Sequence, residues 1–403
     1  MTAHDLSARA AERLEALCST HPDRHVGGPG VAAANELFAR EAQAAGFGVE
    51  RLPFDCVDWE SGSASLRLAD GRDLALHVGP YSPPYRGEAP LVTCSRVEEL
   101  EALDAPGSIL LLHGAIAEEQ LTPRHYPFYQ MDSHVRILAA IDRARPGAVI
   151  AATDRTPMAG ALYPFPLFED ADLGWPSAYL TDVDGAPLVA HDGEVVSLEI
   201  DSRQVAATGE QLVCSRAGTG GGRVLVSAHI DSRHGTPGAL DNATGVCVLL
   251  ALADLLSESG SALTIELVPF NGEDNFAAYG EMAYLAKHED SLGDVVLAIN
   301  IDAAARIGDE SAISFYGCPD QLAATVRAVA ADAEHIVEGP EWPMSDHMVL
   351  AMRGVPAMAI TSTGLFDIEA TVAHTAADTP ELANPEIIVA TARFIASVIE
   401  ALA

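Results

Sequence analysis

The stretch RVLVSAHIDSRHGTPGALDNATGVCVLLALADLL, residues 223–256, decides how this chain folds. Its first part, VLVSAH (224–229), is too short for a helix and too uniformly apolar for an exposed strand, so it reads as a strand buried on both faces. A loop of turn formers follows, and then a long apolar run at helical spacing. The same alternation continues to the end of the chain. LTIELVPF (263–270), VVLAINI (295–301), AISFYG (312–317) and VPAMAIT (355–361) are further buried strands. Between them lie helical patterns: the residues around Tyr279 to Lys287, PDQLAATVRAVAADA, SDHMVLAMRG and the closing NPEIIVATARFIASVIEAL. Strands alternating with helices predict an α/β domain with a mostly parallel, mixed sheet flanked by helices.

Two helical patterns near the N-terminus, HDLSARAAERLEALCS and GVAAANELFAREAQAAG, suit helices that cover the same sheet. Residues from about 60 to 205 differ, with short strands such as SILLLHG and GAVIAATD, many prolines and glycines, and one clear helix, SHVRILAAIDRAR. The expected division is a main domain built from residues 1–60 and 206–403, interrupted by a smaller β-rich insert at 61–205.

With 403 residues and 49% hydrophobic content, the chain can bury a sizeable core. Its 58 acidic against 23 basic residues give a formal charge of -35, which repels phosphate backbones and anionic lipid. Nucleic acid and membrane are therefore not expected as partners. The opening residues have neither a basic region nor an apolar leader core, and no uninterrupted apolar run of about 18 residues occurs. Cys18, Cys56, Cys94, Cys214, Cys247 and Cys318 stand singly, as reduced core thiols rather than a disulfide framework. Together these features predict a cytoplasmic protein.

Ligands of an open α/β sheet collect outside the carboxyl ends of its strands. At those ends this chain places His229 in SAHIDS, Asp241 in GALDNATG, the pair Glu273 and Asp274 in FNGED, and Asp302 in INID. Imidazole and carboxylate suit zinc in hydrolytic sites, and a two-metal site needs one carboxylate that bridges both ions. Asp241 is the natural bridge. Asp231 is expected to orient the His229 imidazole by hydrogen bonding. The pair Glu273 and Asp274 suits a division of labour, one acid binding metal while the other takes a proton from water.

The motifs HIDS, GALDNATG, FNGED, NID, SDHMVLAMRGVP and AHTAADT occur in an order that resembles the M28 aminopeptidase family of zinc exopeptidases. The resemblance covers residues 208–403 with specific motifs and the first 55 more loosely, while the middle section resembles the protease-associated insert of many members. It implies the zinc exopeptidase fold, two zinc ions per chain and a peptide substrate cut at its N-terminal bond. His229 and Asp302 would hold one zinc, Asp274 and His374 the other, with Asp241 bridging and Glu273 as general base. His374 enters through the resemblance alone, supported by Asp378 and Thr379 after it.

Two positions depart from the family pattern. Asp274 stands where a second glutamate is common, and Ala373 where some members carry an oxyanion-stabilising tyrosine, leaving Tyr316 or the backbone as candidates for that role. Asp346 reads as a supporting or substrate-facing acid and His347 as its neighbour at a helix start. Phe276, Tyr279 and Trp342 fit either a side-chain pocket or the core. Competing readings are a glutaminyl-cyclase-like enzyme with one zinc on the same scaffold, and a non-catalytic binding protein that retains its metal site.

Overall fold

In the computed structural model, which describes residues 3–156, 161–258 and 260–403, the run quoted first forms the strand Arg223–His229, buried from Val224 onward. Thr264–Phe270 and Ala357–Ser362 are buried almost throughout, and Val295–Ile301 exposes only Val296 to any extent. Burial on both faces explains why these strands read as continuous apolar runs rather than alternating ones.

The chain divides into two units, Met1–Cys56 with Thr208–Ala403, and Val57–Ala207. In the first unit the strand order is Val195–Arg216 (its C-terminal part), Thr264–Phe270, Arg223–His229, Val295–Ile301, Ala357–Ser362, Ser311–Tyr316 and Ile336–Glu338. The four central strands are mutually parallel, with Ser227 beside both Val268 and Asn300, and Asn300 beside Ala359. Gln211-side residues Cys214–Arg216 and the strand Ser311–Tyr316 run antiparallel to their neighbours. All four parallel strands therefore end at one edge, and the loops after them open there.

The helix Thr244–Leu256 lies almost wholly inside this unit. With the turn before it, the run Ala239–Leu256 has a mean hydropathy of 1.6, enough by composition for a membrane span. It is instead 83% buried, and Asp241 and Asn242 break its helical geometry. It is a core helix. Asn242 links it to the sheet, donating to the Ile301 carbonyl (2.8 Å) and accepting from the first-turn amide of Gly245 (3.1 Å). A Cβ on Gly245 would lie 2.4 Å from Asn242 Oδ1 and 2.8 Å from the Ile301 carbonyl oxygen, so only glycine allows this approach. The closing helix Pro385–Leu402 starts at Asn384, whose side chain accepts from the Glu386 amide, with proline at the first helical position.

The second unit contains four strands that pair in parallel, Tyr85–Cys94, Ile109–Leu112, Ala148–Thr153 and Ser177–Thr181. The helix Asp132–Ala144 turns Ile137, Leu138 and Ile141 into a core shared with Leu110, Val149, Phe165 and Trp175. Among the described residues two short α-helices, Val97–Ala102 and Asp182–Gly185, and two 3-10 helices, Gly114–Ala117 and Ala186–His191, accompany it. The division falls at Cys56/Val57 and Ala207/Thr208, against the expected 60/61 and 205/206. Both points lie inside long strands, Gly48–Arg67 and Val195–Arg216, which carry no change of composition at the division.

Candidate metal centre

Four of the candidate residues stand at or just beyond the end of a parallel strand. His229 ends Arg223–His229, Glu273 and Asp274 follow Thr264–Phe270, and Asp302 follows Val295–Ile301. His374 comes after Ala357–Ser362 and the helix Leu365–Thr371, with a positive φ of 60° that turns the chain back. Asp241 returns over the same edge through the loop 232–238.

The five side chains converge. His229 Nε2 lies 3.0 Å from Asp241 Oδ1 and 3.4 Å from Asp302 Oδ1. His374 Nε2 lies 3.2 Å from Asp241 Oδ2 and 3.3 Å from Asp274 Oδ1. One Asp241 oxygen thus faces each imidazole, with Asp302 beside the first and Asp274 beside the second. Donor atoms of His229, Asp241 and Asp274 fall within 4.8 Å of one another.

Three carboxylates this close repel one another unless positive charge joins them. Burial disfavours a charged imidazole, yet Asp302, Asp231 and Asp241 hold His229 well above its ordinary pKa. At His374 burial and Arg233 act downward, and Asp274 and Asp241 outweigh them. Asp241 is itself held below the usual carboxylate range, burial being overcome by the two imidazoles. The cluster therefore attracts cations. His229 Nε2 and Asp274 Oδ2 are buried without an aligned hydrogen-bond partner, as metal-binding atoms are once no protein group competes for them. Imidazole nitrogen and carboxylate oxygen in this mixture fit zinc.

The surroundings fix the donors. Asp378, fully buried, accepts from the amides of Leu240 (2.8 Å) and Asp241 (3.0 Å), which sets the backbone of the shared carboxylate. Burial pushes the Asp378 carboxyl up to about 6, against those amides. Asp231 meets both the imidazole and the loop after the next strand. The His229 ring meets the Asp231 main-chain oxygen at 3.2 Å, whereas the carboxylate lies 3.7 Å away and accepts from the amides of Gly272 (3.0 Å) and Asp274 (3.1 Å). Its side chain positions the loop that carries Glu273. Burial raises Glu273 well above the ordinary glutamate pKa, with Asp302, Asp274 and Asp241 adding to it and His229 opposing.

Several neighbours carry no sequence signal. Arg24 is fully buried and donates to the carbonyls of Ile230 (2.9 Å), Leu17 (3.1 Å), Pro237 (2.7 Å) and Gly238 (2.8 Å), clamping both ends of the loop 232–238. Arg233 in that loop brings Nε within 3.6 Å of Asp274 Oδ1. Glu369 faces the cluster, where burial pushes it up to about 7, with Asp241, Asp302 and Asp274 adding and His374 opposing. Asp346 and Glu281 are buried, Glu281 beside Gly272, and burial lifts Glu281 up to about 8. His347 is enclosed by Tyr316 and Trp342, with ring centroids at 4.5 and 4.8 Å. The Tyr316 hydroxyl is taken up by the Trp342 amide (2.6 Å) and by Ser314. Ala373 is buried and offers no side-chain donor.

A mixed α/β sheet with imidazoles and carboxylates gathered at its carboxyl edge defines the zinc exopeptidase class of folds. Solved structures share it. An aminopeptidase from Aneurinibacillus sp. strain AM-1 superposes with a TM-score of 0.76 at 19% identity, covering 99% of this chain and 95% of that one. The zinc aminopeptidase BSAP of Bacillus subtilis gives 0.73 at 20% identity, covering 97% and 94%. A curated relative, "Probable lipoprotein aminopeptidase LpqL" of Mycobacterium tuberculosis, is 24% identical over 296 residues, 70% of this chain. This chain spans only 55% of that relative's length. Residues 212–399, within this larger unit, match the model of peptidase family M28.

Proposed function

We propose that this chain is a two-zinc aminopeptidase that hydrolyses the N-terminal bond of peptides. The observation that carries the reading is the Asp241 carboxylate, whose two oxygens lie 3.0 and 3.2 Å from the two imidazoles. His229 with Asp302 would hold one ion, His374 with Asp274 the other, and Asp241 both. When bound, the zinc pair polarises the scissile carbonyl and lowers the pKa of the attacking water.

The protein's own groups handle the proton. Glu273 accepts it from water as the water oxygen bonds to the carbonyl carbon, then delivers it to the amine nitrogen as the C–N bond breaks. Its raised proton affinity suits an acceptor that works near neutral pH. Asp231, through the Gly272 and Asp274 amides, keeps Glu273 and Asp274 on the same loop in register.

Glu273→Gln tests the reading. Hydrolysis of aminoacyl reporter substrates should be lost while zinc content stays near that of the unmodified protein. A chelator should stop the unmodified enzyme, and added zinc should restore it. Hydrolysis that survives Glu273→Gln, or conversion of N-terminal glutamine to pyroglutamate without release of free amino acids, would overturn it.

A further inference from the structure

A second group of metal-binding side chains lies in the same unit, outside the centre described above. Asp23, His25 and His234 each present a donor atom, and the three atoms lie within 4.8 Å of one another. His25 Nδ1 is 2.5 Å from Asp23 Oδ1, His234 Nδ1 is 3.8 Å from Asp23 Oδ2, and the imidazole centroids are 4.5 Å apart. Asp23 and His25 precede the helix Pro29–Ala44, while His234 sits in the loop between His229 and Asp241.

The trio is held in place by the backbone. The His25 ring rests on Gly28, where a Cβ would come within 2.6 Å of ring atoms. Asp23 accepts from the His25 amide (3.3 Å) and from the Gly235 amide across the loop (3.1 Å). Arg24, between the two residues in sequence, is the buried clamp on that loop. The His25, Asp23 and His234 side chains remain 13%, 33% and 39% exposed, so an ion reaches them directly from solvent. Burial works against ionisation of Asp23, but His25 and His234 keep it below its ordinary pKa, and it stays a carboxylate at neutral pH.

We infer that Asp23, His25 and His234 form a separate site for a zinc-class divalent ion. Two imidazoles and one carboxylate favour zinc over magnesium or calcium, which prefer all-oxygen shells. Donors bound to one tetrahedral ion at about 2.1 Å stand about 3.4 Å apart. Reaching that spacing requires the His25–Asp23 pair, now 2.5 Å apart, to open and the half-exposed His234 side chain, 3.8 Å from Asp23, to rotate inward. Three protein donors leave a fourth position for water.

Occupancy has a consequence for the neighbouring centre. An ion here ties the middle of the loop 232–238 to residues 23–25, and the next residue along, Arg233, reaches Asp274. The site thus governs the freedom of Arg233 and of the segment joining His229 to Asp241, without touching substrate.

The test uses the full chain with zinc as the probe. Zinc is titrated into metal-stripped protein, and bound zinc per chain and melting temperature are followed for the unmodified protein, His25→Ala and His234→Ala. Each variant should bind one zinc fewer than the unmodified protein and lose the last zinc-dependent rise in melting temperature. The readout is a difference, so it is independent of how many ions the larger centre takes. His25→Ala removes a packed ring, whereas His234→Ala changes a half-exposed loop residue and keeps the test free of folding defects. Equal zinc content in the unmodified protein and His234→Ala overturns the site.

Discussion

Replacing Arg24 by methionine removes a buried guanidinium and leaves a side chain of similar length. Four main-chain carbonyls, those of Leu17, Ile230, Pro237 and Gly238, lose their donor, all but the one to Pro237 in fully buried hydrogen bonds. An unsatisfied buried acceptor costs about 1 to 3 kcal/mol. Taking the low end for four acceptors, and allowing for relief from burying a charge, the loss is about 3 to 4 kcal/mol. That is a large part of the total stability of an ordinary domain. Arg24→Lys keeps the charge but cannot span four diverging acceptors, so its loss is intermediate, about 2 kcal/mol. Urea unfolding followed by far-UV circular dichroism at a fixed zinc concentration measures both variants, since bound metal shifts the midpoint. Activity should fall in step, because the clamped loop joins His229 to Asp241. A loss below about 1 kcal/mol in Arg24→Met would refute the accounting.

Three further outcomes follow from particular contacts. Burial holds the His347 pKa down to about 4, so the folded protein refuses a proton that the unfolded chain accepts near its ordinary value of 6.5. The resulting stability is complete above pH 6.5 and is lost as pH falls towards 4, about 3 kcal/mol in all, and His347→Phe should flatten that acid limb in thermal melts. Gly245→Ala gains about 1 kcal/mol of helix propensity but forces a Cβ onto Asn242 and the Ile301 carbonyl, so denaturant melts should show a net loss of about 1 to 2 kcal/mol. Asp231→Asn turns an amide group towards one of the two loop N–H donors. It should cut kcat by about 10-fold or more while zinc content is kept, whereas a merely structural role would lower melting temperature and leave the rate of the folded fraction unchanged.

The buried strands were legible because a strand covered on both faces must be apolar along its length. The boundaries shifted by only a residue or two, for instance from 355–361 to Ala357–Ser362. His229, Asp241, Asp274 and Asp302 were legible for a related reason, since strand ends of a parallel sheet are where polar side chains converge. His374 is different. It follows a helix in a turn with positive φ, and nothing in its local spacing separates it from an ordinary loop histidine. The clamp by Arg24 and the trio of Asp23, His25 and His234 join residues about 210 positions apart. No periodicity records such pairings, because they exist only after the sheet has brought the segments together. Asp231 shows a subtler limit: its nearness to His229 was readable, but its two amide donors come from a loop that only the fold places there.

The passage out of the larger unit and back into it has a consequence for how the gene can be rearranged. Arg51 pairs with Glu210, and Phe54 packs where Gly209 has no side chain, so the chain leaves at Cys56 beside the point where it returns at Thr208. A coding sequence in which about two turn residues join those positions would close a hairpin of ordinary geometry. The larger unit should then fold and hold its metal as a shortened protein, and the same junction is a place where a foreign domain could be spliced in without disturbing the reading of the rest.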